Sequence, residues 1–348
     1  MMKKVRIEAS AGYDVLIDNG LLGESGRLIR DISKGNTAVI VSDSNVFPLY
    51  GNVLEKVLKK EGFSVISFVF EAGEDRKCTD TLVSLWEFLA EKHVTRSDIL
   101  IALGGGVTGD LTGFAAATFL RGIKYVNIPT TLLSMTDSSV GGKTAVDLKN
   151  GKNLAGAFYQ PSLVIIDPDT LSTLPEKIFN DGMAEIIKYG MINTPVLLEL
   201  LSGDYDINEI IEISVTAKRD IVAVDERDNG IRQLLNFGHT PAHGIEVLSE
   251  YTVSHGSAVA IGMVIMTRAA IKRGLCEEAA LGALLSLLDK FSLPSVPVFT
   301  TGELARAALS DKKRRGEEIT LVIPRYAGSC ILKPTPVAEL TGFLAEGF

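Results

Sequence analysis

The segment DILIALGGGVTGD, residues 98–110, decides the fold class of this chain. Ile99–Leu103 is an unbroken apolar run, which is typical of a strand buried on both faces of a parallel sheet. Glycines occupy positions 104, 105, 106 and 109, and we expect a helix over Asp110–Phe119. Such a strand-to-helix turn lets a diphosphate approach backbone N–H groups at the helix N-terminus. The segment therefore predicts an α/β domain with a phosphate-binding turn.

The glycine string fits GxGxxG but makes a poor Rossmann fingerprint, because it follows a late strand and has no acidic residue about twenty positions later. A tight turn that binds no ligand is the alternative interpretation. Gly141-Gly142-Lys143-Thr144 resembles the end of a nucleotide triphosphatase loop, but position 137 is Asp instead of the required Gly. The sequence therefore excludes a P-loop enzyme and disfavours an ordinary Rossmann dehydrogenase.

Strands alternate with helices on either side of this segment, which predicts βαβ units and a parallel sheet. Further strands are expected within residues 1–10 and at 37–41, 64–70, 125–128 and 163–166, with helices at 51–60 and 79–92. After prolines 161, 168 and 175 the periodicity is mostly helical. We predict an α/β nucleotide-binding domain over residues 1–170 and a helical domain over 171–348. Ligands of open α/β sheets bind at the carboxyl ends of the strands, so we expect the active site in the cleft between the domains.

Composition narrows the class of protein further. The 348 residues carry 43 acidic and 35 basic side chains, and this excess of acid argues against a general nucleic-acid binder. The three cysteines form no close pair, which is typical of the reducing cytoplasm. The longest apolar run, residues 258–266, is too short to span a bilayer. We therefore expect a cytoplasmic protein that contacts neither membrane nor nucleic acid.

Histidines suggest a metal site. Three of the four, His239, His243 and His255, fall within seventeen residues, and two imidazoles with a carboxylate are a usual catalytic zinc set. Pro241 predicts that a helix begins there, with His239 in the entering loop and His243 in the first turn. Spacing therefore allows His239 to pair with either His243 or His255, while buried or surface histidines without a metal remain the alternative. Glu185, on a helical segment with Lys188, is the obvious third ligand beside a histidine pair.

Several strings in this order resemble the 3-dehydroquinate synthase family. They are GGGVTGD from 104, PTTLLSMTDSSVGGKTAV from 129, GKNLAGAFYQP from 151, AEIIKYG from 184, DERDNGIRQLLNFGHT from 225 and HGSAVAIGM from 255. KNLAGAFYQP and FGHT separate this family from the related iron-type alcohol and glycerol dehydrogenases. The resemblance implies a homodimeric shikimate-pathway enzyme that uses NAD and one divalent metal ion, zinc or cobalt. Its reaction converts 3-deoxy-D-arabino-heptulosonate 7-phosphate to 3-dehydroquinate and phosphate by oxidation, elimination, reduction, ring opening and aldol closure.

The resemblance also implies roles for individual residues. The metal ligands are Glu185, His239 and His255. The NAD site is lined by Asp43, Glu74, Lys77, Gly105, Gly106, Asp110, Thr130, Thr131, Lys143, Lys152, Thr170 and Thr173. The substrate is bound by Asp137, Lys143, Asn153, Lys188, Lys218, Arg232, Asn236, His243 and Lys312, with Arg121 reaching its phosphate from the neighbouring subunit. Positioning and proton transfer fall to Lys152, Lys188, Asn236 and His243.

The chain departs from the family pattern at a few positions. Pro241-Ala242 stands where a Gly is frequent, while Ser257 and Asp228 each stand where Glu is common. These changes bear on loop rigidity and on charge near the metal ligands. Two other enzyme classes use the same architecture: a sister cyclase acting on sedoheptulose 7-phosphate, and an NAD-dependent polyol dehydrogenase. A binding protein without activity is a third alternative, and it would be expected to lack the metal or the nucleotide.

Overall fold

The computed structural model describes residues 2–309, 314–315 and 317–348. The chain divides into two compact units. Met1–Pro175 and Lys218–Glu226 form the first unit, and Glu176–Ala217 and Arg227–Phe348 form the second. The sequence pattern does not indicate that Lys218–Glu226 belongs to the first unit, because this segment continues a helix that begins in the second unit.

The first unit is built on a seven-stranded sheet with helices on both faces. The strands of this unit are β1 Lys3–Ile7, β2 Tyr13–Ile17, β3 Thr37–Asp43, β4 Ser64–Phe70, β5 Ile99–Gly104, β6 Lys124–Pro129, β7 Lys143–Leu148, β8 Gly151–Phe158 and β9 Leu163–Ile166. Strands β7 and β8 form a separate two-stranded sheet. The helices of this unit are α1 Leu21–Ile32, α2 Asn52–Lys60, α3 Thr79–Glu91 and α4 Gly106–Thr118. The sheet order is β1-β2-β9-β6-β5-β3-β4, and only the β1–β2 pair is antiparallel. The predicted parallel α/β sheet is confirmed.

Strand β5 shows why the apolar run was informative. Ile99, Ile101 and Leu103 pack on one face of the sheet with residues of α1 and α2. Leu100 packs on the other face with residues of α3 and α4. Burial of each such side chain contributes about 1.5–3 kcal/mol to the hydrophobic free energy of folding. A central strand covered on both faces needs this continuous apolar sequence.

The glycine-rich turn differs from its prediction, because α4 begins at Gly106 and not at Asp110. Gly105 alone separates β5 from the helix, so the glycines themselves form the first helical turn. A Cβ at Gly104 would lie 2.5 Å from Thr108 Oγ1, and one at Gly109 would lie 2.9 Å from Asn127 Nδ2. The glycines therefore allow the helix to start immediately and to pack closely against β6.

A hairpin that was not predicted from the sequence follows β6. After a π-helical turn at Ser134–Ser138, strands β7 and β8 pair antiparallel. A Cβ at Gly156 would lie 2.2 Å from the backbone oxygen of Thr144, so the two strands approach too closely for a side chain there. The polar, glycine-rich sequence hid this hairpin because it lacks the apolar alternation of an ordinary strand pair.

The second unit is mostly helical, as predicted, but it also contains a sheet that was not predicted. Its helices are α5 Glu176–Ile192, α6 Val196–Ser202, α7 Ile207–Val224, whose last turns belong to the first unit, α8 His239–Leu248, α9 His255–Lys272, α10 Glu278–Lys290, α11 Thr301–Leu309 and α12 Val337–Ala345. Strands β10 Arg314–Arg315, β11 Glu318–Tyr326 and β12 Ser329–Pro336 form an antiparallel sheet. Prolines 324, 334 and 336 lie in these strands, and proline weakens any sequence signal for a strand.

Helix α9 forms the centre of this unit. Almost every residue from Gly256 to Ala270 is buried, including Ala258–Thr267 without interruption. Helix α9 contains the longest apolar run of the sequence. Because the helix is buried on all sides, its sequence shows no amphipathic pattern. No helix in the described part of the chain has the combination of length and apolarity needed to cross a bilayer.

Candidate functional site

Three side chains of the second unit converge as a potential metal site. One ligand atom from each of Glu185, His239 and His255 lies within 4.8 Å of the other two. Both histidines turn Nε2 toward Glu185 Oε1, at 3.7 Å for His239 and 3.3 Å for His255. Two imidazoles and one carboxylate leave a coordination position open for a substrate, which is the arrangement of catalytic zinc sites. The donor set fits a divalent metal ion.

The three candidate ligands come from three packed helices. Glu185 lies in the middle of α5, while His239 and His255 are the first residues of α8 and α9. The prediction that His239 belongs to the entering loop is wrong, because the helix begins two residues before Pro241. Pro241 is accommodated there because the first turn of a helix has no intrahelical partner for its N–H groups. The left-handed φ of +79° at Gly238 directs the chain into α8.

Each ligand histidine has an acceptor on its second ring nitrogen. His239 Nδ1 lies 3.2 Å from the backbone oxygen of Phe237, and His255 Nδ1 lies 3.4 Å from Glu246 Oε1. Burial lowers the pKa of His255, but hydrogen bonds to Glu185 and Glu246 outweigh burial and raise it to about 10. A metal ion that binds Nε2 therefore displaces a proton.

Two other predicted residues of the second unit, Lys188 and His243, lie beside this set. Lys188 forms an ion pair with Glu185 one turn earlier on α5, and both side chains are buried. The ring of His243 lies 5.6 Å from that of His239, and His243 is outside the converging trio. Arg232, which is buried, and Asn236 lie on the 3₁₀ turn that leads to α8. Lys312 lies outside the described residues.

Nine of the twelve residues predicted for NAD lie at or after the carboxyl ends of strands in the first unit's sheet. Asp43 ends β3, Gly105 and Gly106 follow β5, and Thr130 and Thr131 follow β6. Glu74 and Lys77 follow β4, and Thr170 and Thr173 follow β9 in the same way. The chain passes from β3 to β4 on one side and then to β5 on the other, which makes the carboxyl ends of β3 and β5 a topological switch point. Nucleotides bind at such points in α/β sheets.

Two local features fit a bound nucleotide. The Oγ1 of Thr130 is buried, and no other group among the described residues hydrogen-bonds it. A Cβ at Gly105 would lie 3.1 Å from Thr131 Cγ2, and one at Gly106 would lie 3.2 Å from Ser138 Oγ. Glycine at both positions adds no side chain beside the first N–H groups of α4. The turn is therefore suited to a closely approaching phosphate.

Lys77 connects the nucleotide residues to the hairpin. Its Nζ donates hydrogen bonds to Asp110 Oδ2 at 2.5 Å and to Asn153 Oδ1 at 2.6 Å. Burial alone lowers the pKa of Lys77, but the carboxylates of Asp110 and Glu74 raise it above its usual value. Lys152 pairs with Glu74 at 3.3 Å. The structure thus brings Lys152 and Asn153, predicted to act on the substrate, to the predicted NAD residues.

Four further predicted residues of the first unit take different positions. Lys218 Nζ lies 2.9 Å from Asp137 Oδ1 and donates to the backbone oxygen of Asp137. Lys143 begins β7 with an exposed side chain. Arg121 is exposed after the C-terminus of α4, where residues 120–122 all have positive φ. The 13 residues of α4 place Arg121 about 20 Å from the glycine-rich turn at the other end of the helix.

Two residues next to the candidate metal ligands were not predicted from the sequence. Glu246 contacts His255, and Asp181 binds the first turn of α9. Both could have been noticed from helical spacing, since Glu246 is seven residues after His239 and Asp181 is four residues before Glu185. Their roles depend on contacts between helices, which spacing alone does not give.

Comparison with known proteins identifies the family. Models described as 3-dehydroquinate synthase N-terminal and 3-dehydroquinate synthase C-terminal match residues 67–181 and 182–314. The 3-dehydroquinate synthase of Clostridium acetobutylicum is 41% identical over 99% of each chain.

Two solved structures are also similar. A 2-deoxy-scyllo-inosose synthase complexed with carbaglucose-6-phosphate, NAD+ and Co2+ is 26% identical with a TM-score of 0.89, covering 99% of this chain and 100% of that one. A 2-epi-5-epi-valiolone synthase from Streptomyces hygroscopicus subsp. jinggangensis 5008, with NAD+ and Zn2+ bound, is 28% identical with a TM-score of 0.87, covering 98% of both chains. The two family models and the full-length relative establish that this chain belongs to the 3-dehydroquinate synthase family.

Proposed function

We propose that this protein converts 3-deoxy-D-arabino-heptulosonate 7-phosphate to 3-dehydroquinate and phosphate. The observation that carries the proposal is the convergence of Glu185, His239 and His255 into one donor set in a chain of this family. Residues at the carboxyl edge of the first unit's sheet supply the second requirement, a place for a dinucleotide. The overall reaction involves no net redox change, so the cofactor is regenerated in each turnover.

The proposed cofactors are NAD and one divalent metal ion, zinc or cobalt. When bound, NAD accepts a hydride and later returns it, and the metal ion polarises the hydroxyl group that is oxidised. Gly105, Gly106 and Thr130 would contact the nucleotide, together with Asp43, Glu74, Lys77, Asp110, Thr131, Lys143, Lys152, Thr170 and Thr173. One similar solved structure contains NAD+ and Co2+, and another contains NAD+ and Zn2+. Both support a divalent metal ion of this class.

The chain's own residues bind and orient an anionic substrate. A sugar phosphate with a carboxylate needs several cationic partners, and buried Lys188, Lys218 and Arg232 provide them in a chain of net charge −8. The ion pair between Asp137 and Lys218 and the hydrogen bond from Lys77 to Asn153 hold three of the predicted substrate residues, Asp137, Lys218 and Asn153, in place. We assign positioning and proton transfer around the substrate hydroxyls and phosphate to Lys152, Lys188, Asn236 and His243, with Lys143 and Lys312 as further phosphate or carboxylate partners.

We also propose a homodimer in which Arg121 binds the substrate phosphate of the partner subunit. The exposed position of Arg121 at the far end of α4 from the glycine-rich turn supports a role outside its own nucleotide site. The three cysteines are all free thiols, which is consistent with our proposal of a cytoplasmic location.

The sister cyclases are the principal alternative. The two solved cyclases are 26% and 28% identical to this chain, whereas the Clostridium 3-dehydroquinate synthase is 41% identical. The sequence retains the set Lys152, Asn153, Lys218, Arg232 and Lys312, which favours a substrate with a carboxylate over sedoheptulose 7-phosphate. A polyol dehydrogenase would use the same two cofactors but would accumulate NADH.

A paired assay tests the proposal. Purified protein with zinc and catalytic NAD receives 3-deoxy-D-arabino-heptulosonate 7-phosphate, and phosphate release is recorded together with absorbance at the NADH band. Many turnovers of phosphate without lasting NADH are expected. Release from sedoheptulose 7-phosphate but not from this substrate would assign the protein to the sister cyclases. Accumulation of NADH with a simple polyol would make it a dehydrogenase.

A further inference from the structure

Glu246 is a buried carboxylate that the proposed reaction does not use. It lies on α8, seven residues after His239, and only 3% of its surface is exposed. Burial of a carboxylate is costly unless charged or hydrogen-bonding groups compensate for it. Its Oε1 lies 3.4 Å from Nδ1 of His255, which begins the neighbouring helix α9. Helix α8, which begins with His239, therefore also carries a carboxylate that faces His255 on α9.

The chemistry of this contact determines which ring nitrogen carries hydrogen. An ionised carboxylate only accepts hydrogen bonds, so His255 Nδ1 must be the donor. Nε2 is then the nitrogen that can bind a metal ion, and it is the atom that lies 3.3 Å from Glu185 Oε1. His239 is held in the same way, with Nδ1 against the backbone oxygen of Phe237 and Nε2 toward Glu185.

We propose that Glu246 is a positioning residue of the metal site, which fixes the tautomer and ring orientation of His255 and so tightens metal binding. The proposal rests on the metal site of the proposed function. A carboxylate behind a ligand histidine also increases the basicity of the imidazole, and loss of such a partner typically weakens metal affinity 10- to 100-fold. Glu246 acts through His255 and is not itself assigned a contact with the metal ion or the substrate.

The test measures metal binding without substrate. Zinc dissociation constants, from competition with a chelating dye, and visible absorption spectra of the Co2+-loaded protein are compared for wild type, Glu246→Ala and Glu246→Gln. We expect about 10- to 100-fold weaker zinc binding and an altered cobalt spectrum for Glu246→Ala. Glu246→Gln should bind with intermediate affinity, since its amide oxygen can still accept from Nδ1. If the alanine variant does not fold, the comparison of Glu246→Gln with wild type still tests the proposal.

Glu250 provides the matched control, because it lies four residues later, is exposed and carries the same charge. Glu250→Ala and Glu250→Gln should keep the wild-type affinity and spectrum. Wild-type behaviour of both Glu246 variants, or an equal loss in the Glu250 variants, would overturn the positioning role. The proposed function would survive the loss of the Glu246 role if wild type binds metal and His255→Ala does not. If wild type binds no metal at all, both the metal site and the role of Glu246 are wrong.

Discussion

The backbone N–H of Ser257 donates a hydrogen bond of 2.8 Å to the carboxylate of Asp181. Ser254 Oγ donates to the same oxygen at 2.5 Å, so Asp181 acts as the N-terminal cap of α9 although it belongs to α5. Asp181 is one turn before Glu185, and Ser257 is two residues after His255. The cap therefore fixes two of the proposed metal ligands, Glu185 and His255, relative to each other, and Ser257, a departure from the family pattern, takes part in it.

Removal of this cap should weaken both the fold and metal binding. We expect Asp181→Ala to lower the free energy of unfolding by about 0.5–2 kcal/mol, the usual cost of losing a cap. Asp181→Asn keeps an acceptor oxygen and should lose less. Urea unfolding of the metal-free proteins measures the first effect, and zinc titration measures the second. Equal stability of wild type and Asp181→Ala would show that the cap contributes nothing.

Gly256 allows α9 to approach α5 at this point. A Cβ on Gly256 would lie 2.0 Å from the backbone oxygen of Asp181, and backbone atoms cannot move aside without shifting a helix. We expect Gly256→Ala to destabilise the protein by about 1–3 kcal/mol, as overpacking does, and to weaken zinc binding. Thermal unfolding and zinc titration measure the two effects.

Gly282 on α10 is the control for this substitution, since a Cβ there meets nothing within 4 Å. Gly282→Ala should stabilise the protein by up to about 1 kcal/mol, because alanine has the higher helix propensity. If Gly256→Ala behaved like Gly282→Ala, the close contact between α5 and α9 would be wrong.

Much of the fold could be predicted from the sequence, and the three residues predicted as metal ligands do converge in the structure. Strand β5 was predicted because burial on both faces requires an unbroken apolar run. The hairpin of β7 and β8 was missed because its stability comes from backbone pairing and from contacts such as Lys77 with Asn153, which leave no periodic signal. The start of α8 was misplaced because proline is compatible with several positions in a first helical turn.

The proposed metal ligands were named through family resemblance, since spacing left two pairings of histidines open. The choice between them depends on how α8 and α9 pack, and packing is not visible in spacing. A Cβ on Gly262 of α9 would lie 2.0 Å from the backbone oxygen of Gly238, directly before His239. This contact brings His239 close to His255, whose rings are 5.3 Å apart.

Substitution of His243 should separate catalysis from metal binding. His243 lies beside His239 but outside the trio of ligand atoms, so His243→Ala should keep zinc near one ion per chain. Phosphate release should fall by about 10²–10⁴-fold, the range for loss of a proton-transfer group. Metal analysis of the purified variant, with His255→Ala as the metal-deficient comparison, measures the first outcome. Loss of zinc from His243→Ala would make His243 a ligand.

Asp98 should make the stability of the first unit depend on pH. Its Oδ1 accepts from the backbone N–H groups of Asn36 and Thr37, and its Oδ2 accepts from the N–H and hydroxyl of Thr95. Burial raises the pKa of Asp98, but these hydrogen bonds outweigh burial and hold it below its usual value. The ionised carboxylate therefore joins the amino ends of β3 and β5.

The direction of the pH effect follows from this lowered pKa. The stabilisation is complete above the unfolded-state pKa of about 3.9 and is lost as the pH falls through the lower folded-state value. We expect Asp98→Asn to be less stable by about 2 kcal/mol at pH 7, with the difference from wild type shrinking below about pH 4. Urea unfolding from pH 7 to 3 measures it, with exposed Asp204→Asn as the control. A difference that stays constant with pH would contradict the role of the charge.

Arg121 allows the proposed dimer to be tested in solution with hybrids whose two subunits carry different substitutions. If Arg121 acts on the partner's substrate, a hybrid of Arg121→Ala and His255→Ala subunits has one intact site, because the first chain keeps its metal ligands and receives Arg121 from the second. Co-expression with two affinity tags isolates this hybrid, and we expect about half of the wild-type activity per dimer. Each variant alone should be nearly inactive. A hybrid of His239→Ala and His255→Ala is the control, since both of its sites lack a ligand. An inactive Arg121 hybrid would assign Arg121 to its own chain, and failure to isolate any hybrid would contradict the homodimer.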